Sequence, residues 1–253
     1  MNIEEAKILE EYKFPVSESQ LYFPSNDNLK KSQSHKAIVR NDTGELISVM
    51  KNSYKMISNE RIIDSVTEQL EKLNTPWRID KQSSYLDNSN MRLHIVFPDL
   101  AIQDHESKIF LSLMLINSYD GSEAYSLKKS MLRQICTNGM TARTLLGKEI
   151  KQKHTQRIAN GNLMENVEGS FKKLPLVKLR IEEMLNTPIT RDIKLQIEDK
   201  MGTNVSKFVS EQLKTKRDNL YDLYNHLTYW ISHLCSKKQQ MNYHNEVSTI
   251  FQL

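Results

Sequence analysis

Cysteine is nearly missing from this 253-residue chain, and the two that occur, Cys136 and Cys235, lie far apart with no CxxC spacing. That argues against a disulfide framework and a zinc module, and it fits a reducing compartment. Glycine is almost as scarce. Seven residues, with no GxxxxGK[ST] and no GxGxxG run, leave little material for a loop that cradles nucleotide phosphates. The sequence therefore implies no cofactor, neither ATP nor a dinucleotide. The seven histidines form no HxxxH or HExxH pattern. His226, His233 and Cys235, spaced seven and two residues apart, would not share one helix face, so no metal site is expected. No apolar run approaches the roughly 18 residues of a membrane span. The first residues, Met1 to Lys7, are acidic and lack the basic and apolar regions of a secretory signal. A cytoplasmic location without membrane association is the expectation.

What the chain does have is an uneven distribution of charge. The composition, 38% hydrophobic and 26% charged, suits one or two compact domains with enough chain to bury a core. The formal charge is only +4, yet residues 128–180 hold twelve Lys and Arg against three Glu, which leaves −5 for everything else. A basic middle third on an otherwise acidic protein is the electrostatic footprint of a phosphate-binding surface, since Lys and Arg gain by releasing condensed counterions. The competing reading of such a stretch is a solvated helix face.

Residues 13–35 carry Pro15, Pro24 and many Ser, Asn and Lys without sustained periodicity, which predicts an irregular leader after a short N-terminal helix. Two β-prone runs, Lys36 to Arg40 and Glu45 to Met50, flank the turn sequence Asn41-Asp42-Thr43-Gly44 and predict a hairpin. Ser58 or Asn59 can cap a helix whose Ile62, Ile63, Val66, Leu70 and Leu73 recur on one face. Alternation over Arg92 to Phe97 predicts a strand with one polar face, and the continuous apolar run Ile109 to Ile116 predicts a strand covered on both sides. A further strand is expected within Glu123 to Cys136. Beyond Thr137 the reading is helical over Met140 to Ile158, Leu163 to Leu185, Val205 to Leu213 and Leu220 to Leu234, with Pro175, Pro188 and Gly202 as breaks. The stripe Leu220, Leu223, Leu227, Trp230 or Ile231, and Leu234 reads as core. The fold class is α+β: a mainly antiparallel sheet with a covering helix in the N-terminal half, and a helical C-terminal half. The expected organisation is a leader at 1–35, a sheet-containing core at 36–138 and a helical region at 139–253 packing on that core.

Polar residues crowd the end of the apolar strand, in Asn117-Ser118-Tyr119-Asp120-Gly121-Ser122 and again in Arg133-Gln134-Ile135-Cys136-Thr137-Asn138. Together with Ala37-Ile38-Val39-Arg40…Gly44, Tyr54, Ser58-Asn59-Glu60, His154-Thr155 and Tyr221-Asp222-Leu223-Tyr224-Asn225-His226-Leu227-Thr228, these pieces occur in an order that resembles an uncharacterised family. It is the "phage/plasmid-like protein" family, domain of unknown function 932, and the resemblance covers roughly residues 35 to 252. Within it Asn117, Asp120, Gly121, Ser122, Cys136, Asn138, Asn225 and Thr228 are motif positions without an assigned role. The family pattern often has His where this chain has Tyr119, which argues against histidine chemistry at that position. The resemblance implies residence on a mobile element of a bacterial host and brings no established activity. In strand-hairpin-helix order the family is distantly similar to the single-strand annealing proteins of viral recombination, an architectural analogy that extends to homo-oligomer assembly.

Three functional readings follow. In the first the protein binds nucleic acid, single-stranded DNA favoured, through Lys128, Lys129, Arg133, Arg143, Lys148, Lys151, Lys153, His154 and Arg157. Phe171 is the only aromatic residue within 128–180, so phosphate contacts rather than base stacking are expected of that segment. The second reading is a host-interaction or anti-defence factor with a host protein as partner. The third, carrying least weight, is a Cys-dependent enzyme with Cys136 as nucleophile, His154 as base and Asp120 or Asn138 as orienting group. A structural reading stands beside these: Asp120-Gly121 is a favoured turn pair that sets strand register, with Arg133 placed to pair with Asp120 across it.

Overall fold

A computed structural model describes residues 3–25, 28–73, 75–103, 108–133, 139–140, 146, 150–152, 169, 172–213 and 218–253 of the chain. Among these, ten strands and seven helices follow the α+β order expected, with strands concentrated in the first half and helices in the second. The helices are α1 Ile3–Tyr12, α2 Asn59–Lys72, α3 Leu174–Leu185, α4 Arg191–Met201, α5 Thr203–Gln212, α6 Leu220–His233 and α7 Lys237–Ile250. The strands are β1 Val16–Ser25, β2 Asn28–Arg40, β3 Leu46–Lys51, β4 Arg78–Ile79, β5 Tyr85–Leu86, β6 Asn90–Gln103, β7 Lys108–Ser118, β8 Tyr125–Arg133, β9 Gly139–Met140 and β10 Ile150–Gln152. One sheet has the order β1-β2-β3. The other runs β10-β8-β7-β6-β4, with β5 on β6 and β9 on β8.

The chain forms two compact units that interleave along the sequence: Met1–Val96, Leu113–Lys128 and Glu149–Glu165 in the first, Phe97–Ser112, Lys129–Lys148 and Asn166–Leu253 in the second. In the first unit the hairpin predicted around Asn41 to Gly44 forms as β2 and β3. Gly44, at φ 72°, closes it by donating its N–H to the Arg40 carbonyl at 2.8 Å. Helix α2 starts where the sequence places it: the Ser58 hydroxyl accepts from the Arg61 N–H, and Ile62, Ile63, Val66 and Leu70 are buried on one face. Phe14, Ile38, Tyr54 and Tyr119 form a small core with Ile47, Met50 and Leu86 against it. Phe14 meets Tyr119 edge to face, and the Arg40 guanidinium lies 4.3 Å over the Phe14 ring.

Residues 13–35, expected to be irregular, instead supply β1 and much of β2, paired antiparallel from Val16↔Arg40 to Ser25↔Asn28. Their pattern hid this because the outer part of the ribbon has both faces in solvent, so no apolar alternation marks it. Strand β6 also departs from expectation. His94 and Val96 are buried together with Leu93, Ile95 and Phe97, since a strand covered on both faces keeps no polar side.

In the second unit α3 packs on α6, α4 on α5 and α7, and α6 on α5 and α7. Pro175 does not break a helix; it sits in the first turn of α3, where its missing N–H costs nothing. Helices α4 and α7 were not foreseen. Among the described side chains α4 buries Ile197 and Met201, and α7 buries His244, Val247 and Ser248, too few to reveal a periodic stripe. The stripe on α6 holds for Leu220, Leu223, Leu227 and Ile231, while Leu234 is exposed. Of the helix expected over Met140 to Ile158, Leu146 is helical among the described residues, but Gly139–Met140 pair with Leu132 and Met131, and Ile150–Gln152 pair with Leu127 to Tyr125, which corrects the expectation there. Such cross-strand pairings leave no helical period to read. Among the described residues no helix is long and apolar enough to cross a membrane.

Burial of His94 makes the fold sensitive to acid. Desolvation pushes its imidazole down from 6.5 to about 4, with Arg92 adding to the effect and Asp80 opposing it, and Nδ1 finds no partner among the described residues. A pKa lower in the folded state means that the unfolded chain binds the extra proton, so stability is intact above pH 6.5 and drains away as pH falls toward 4. The loss over that window is roughly 3 kcal/mol. Urea melts at both ends of the window should show it. His94→Leu, which removes the titrating group from an apolar strand, should flatten that limb of the pH profile.

Candidate functional site

The motif that closes β7 is built inward. Asn117 is fully buried, and its amide donates to the Ile57 carbonyl at 3.0 Å and to the Asn59 Oδ1 at 2.8 Å. Both acceptors belong to the entry and first residue of α2, so the strand end holds the helix start. The Tyr119 hydroxyl accepts the Asn59 N–H at 2.7 Å, satisfying one of the donors that a helix leaves orphaned at its N-terminus. That role accounts for a phenol here, and burial pushes it up to about 12, out of range of acid-base work near neutrality.

Around this latch Tyr54 donates to the Ser118 carbonyl and Ser48 to the Tyr119 carbonyl, at 2.8 and 2.7 Å. Asp120 Oδ1 accepts the Ser122 N–H, the Ser122 hydroxyl donates to Asn90 Oδ1, and Arg92 pairs with Glu123 at 2.8 Å. Gly121 adopts φ 73°, and a Cβ there would lie 2.8 Å from Met50 Cε. The bonds of Asn117 and Tyr119 tie the end of β7 to β3 and α2, and Ser122 ties the turn to β6. The Arg133 side chain, expected beside Asp120, lies outside the described residues.

The second family segment is likewise core. On α6 Tyr221, Leu223, Tyr224, Leu227 and Thr228 are buried, Tyr224 meets Phe251 edge to face at 5.2 Å, and Thr228 Oγ1 donates to the Asn225 carbonyl. Asn219 and Asp222 form the capping box that starts the helix. Asn225 Oδ1 is buried without a partner among the described residues.

Of the basic residues, Lys128, Lys129 and Lys151 have described side chains. Arg143, Lys148, Lys153, His154 and Arg157 lie outside the described residues, as do Cys136 and Asn138, and with them the Cys136–His154 pair of the enzyme reading. In the first unit exposed Lys151 stands opposite Ser126 on the β8–β10 ladder, on the side that also carries Lys128; Lys128 is half-buried and has a partner of its own. Lys129, the next residue of β8, points the other way.

In the second unit Lys129 is half-buried and feels the positive charge of Lys173, the residue before α3. Burial first, and the neighbouring positive charge second, hold Lys129 below the ordinary lysine value. No carboxylate of a described residue pairs with Lys129, Lys151, Lys172 or Lys173, whereas Lys178 and Arg180 are answered by Glu182 and Glu183. Sequence reading counted Lys172 and Lys173 among the bases without naming them as site residues; their adjacency just before an apolar helix was the available signal. Cys235, the described cysteine, is a free thiol raised by burial, which disfavours the reactive thiolate.

No curated protein and no solved structure matches the chain. A family model does match, over residues 46–252, well over half of the chain, and the protein belongs to the family described as Domain of unknown function (DUF932).

Proposed function

We propose that the protein binds nucleic acid through phosphate contacts, with single-stranded DNA as the favoured ligand, and serves phage or plasmid DNA metabolism such as annealing or recombination in the cytoplasm of a bacterial host. The observation that carries this reading is the Lys129–Lys173 pair. Two lysine charges that act on each other, one of them half-buried, with no carboxylate of a described residue paired to either, repel in the free protein. A phosphate bound near them relieves the repulsion and gains charge-assisted hydrogen bonds. Exposed Lys172 stands next to the pair, in a stretch where bases outnumber acids twelve to three. The latch, by contrast, spends the Asn117 amide hydrogens and the Tyr119 hydroxyl inside the fold, which favours a scaffold role for these two residues over catalysis.

The test is a titration of a labelled oligonucleotide by fluorescence anisotropy at several salt concentrations. Binding at low salt should weaken by about ten- to a few-hundredfold between roughly 50 and 200 mM salt, as expected for three to six neutralised phosphates on a single strand. No binding at the lower salt, or binding indifferent to salt, would contradict the proposal.

A further inference from the structure

The outer part of the β1–β2 ribbon carries large side chains that the fold does not use. Strand β3 pairs with β2 only as far as Lys51↔His35, so residues 28–34 of β2 have β1 as their one partner strand among the described residues. There the directly opposed pairs are Tyr22↔Lys31, Phe23↔Lys30, Pro24↔Leu29 and Ser25↔Asn28. Opposed residues share a face and successive residues alternate, so Tyr22 and Lys31 stand on one face of the ribbon, Phe23 and Lys30 on the other. Tyr22, Phe23 and Leu29 are 55%, 46% and 72% exposed. Each ring therefore has a lysine beside it, and neither lysine has a carboxylate partner among the described residues. Within residues 19–35 the sequence holds one acidic residue, Asp27, against Lys30, Lys31 and His35.

Exposed apolar residues on a strand at a sheet edge invite pairing with another chain. This edge is blunted against it: Pro24 removes a donor from β1 and the register shifts between Gln20 and Tyr22. What remains is a pair of aromatic platforms flanked by cations, the combination that binds unpaired bases by stacking and their phosphates by charge.

We infer that this ribbon is a contact site for single-stranded nucleic acid, with bases stacked on Tyr22 and Phe23 and the flanking phosphates met by Lys31 and Lys30. The inference rests on the nucleic-acid reading above, adds residues outside the basic segment, and makes the unpaired base the feature recognised.

The full chain is titrated with an oligothymidine of about 20 nucleotides and with a duplex of equal length, a span that covers one or more single-strand sites. Tyr22→Ala combined with Phe23→Ala should weaken oligothymidine binding by about thirtyfold or more, a loss at the lower end of what two stacked bases supply. Duplex affinity and the salt slope should be unchanged, and Tyr22→Trp should bind at least as tightly as wild type. Lys30→Ala with Lys31→Ala should instead make the salt slope shallower. As a second readout free of substitutions, photocrosslinking of wild type to an iodouracil-substituted strand should label the peptide containing Tyr22 and Phe23.

Equal oligothymidine binding by wild type and the ring variant, equal losses on strand and duplex, or crosslinks confined to other peptides would overturn the ribbon site while leaving the basic-segment proposal standing. A ring-dependent dimer in sedimentation without a binding defect would assign the face to a second copy and also overturn it. Wild type that binds neither strand nor duplex would remove both readings together.

Discussion

Replacing Asn117 by Asp is expected to destabilise the protein by about 3–5 kcal/mol at neutral pH, the range for an uncompensated charge in a buried polar network. The amide of Asn117 serves two acceptors, the Ile57 carbonyl and Asn59 Oδ1, from a position with no solvent exposure. A carboxylate offers neither hydrogen and places a negative charge against both oxygens. Protonated, it would recover one donor. The folded-state pKa of the new acid therefore lies above its unfolded value of about 3.9, and the penalty is full at high pH and shrinks as pH falls through the folded pKa. This trend runs opposite to that of His94, which is why the variant is to be read as a difference from wild type at each pH. Urea melts of both proteins between neutrality and pH 4.5 should show the gap narrowing with acid. A variant within about 1 kcal/mol of wild type at pH 7, the scale of an ordinary surface change, would mean that Asn117 does not hold α2 to β7.

The second large effect is on binding. Lys172→Glu with Lys173→Glu should weaken oligonucleotide affinity on the order of a hundredfold at low salt, about tenfold for each charge-assisted phosphate contact removed. The same change should leave thermal stability equal or higher, because Lys173→Glu removes a positive charge that opposes the charge on Lys129. Binding lost while stability is kept separates a role in recognition from a role in folding. A protein that selects for binding tolerates such repulsion in the free state.

How far the sequence alone reached depends on how local the signal is. The Asn41 to Gly44 hairpin, the Ser58 cap and the α2 stripe rest on turn residues and on a 3.6-residue period, both visible in a short window. The outer part of the β1–β2 ribbon, a hairpin closing at Ser25↔Asn28, does not alternate between core and solvent, and β9 and β10 are two- and three-residue strands defined only by their pairing with β8, so nothing in a window distinguishes them from coil or helix. At the site, Asp120-Gly121 was readable as a turn because glycine at positive φ has few other uses. The inward bonding of Asn117 and Tyr119 was not, since an amide and a phenol at a strand end look the same whether they face a ligand or the start of α2. The pairing of Lys129 with Lys173 joins a strand to the start of a helix and likewise needed coordinates.

The claim at the centre of this account is that positive charges left without described carboxylate partners around Lys129 and Lys173 hold the phosphates of a nucleic-acid strand. It is tested most directly by the slope of log affinity against log salt for wild type and the Lys172→Glu, Lys173→Glu variant, measured side by side on one single-stranded oligonucleotide. The slope should be shallower by about 1.4 in the variant, two phosphate contacts at about 0.7 each. Parallel lines, with the variant binding as tightly as wild type, would contradict it.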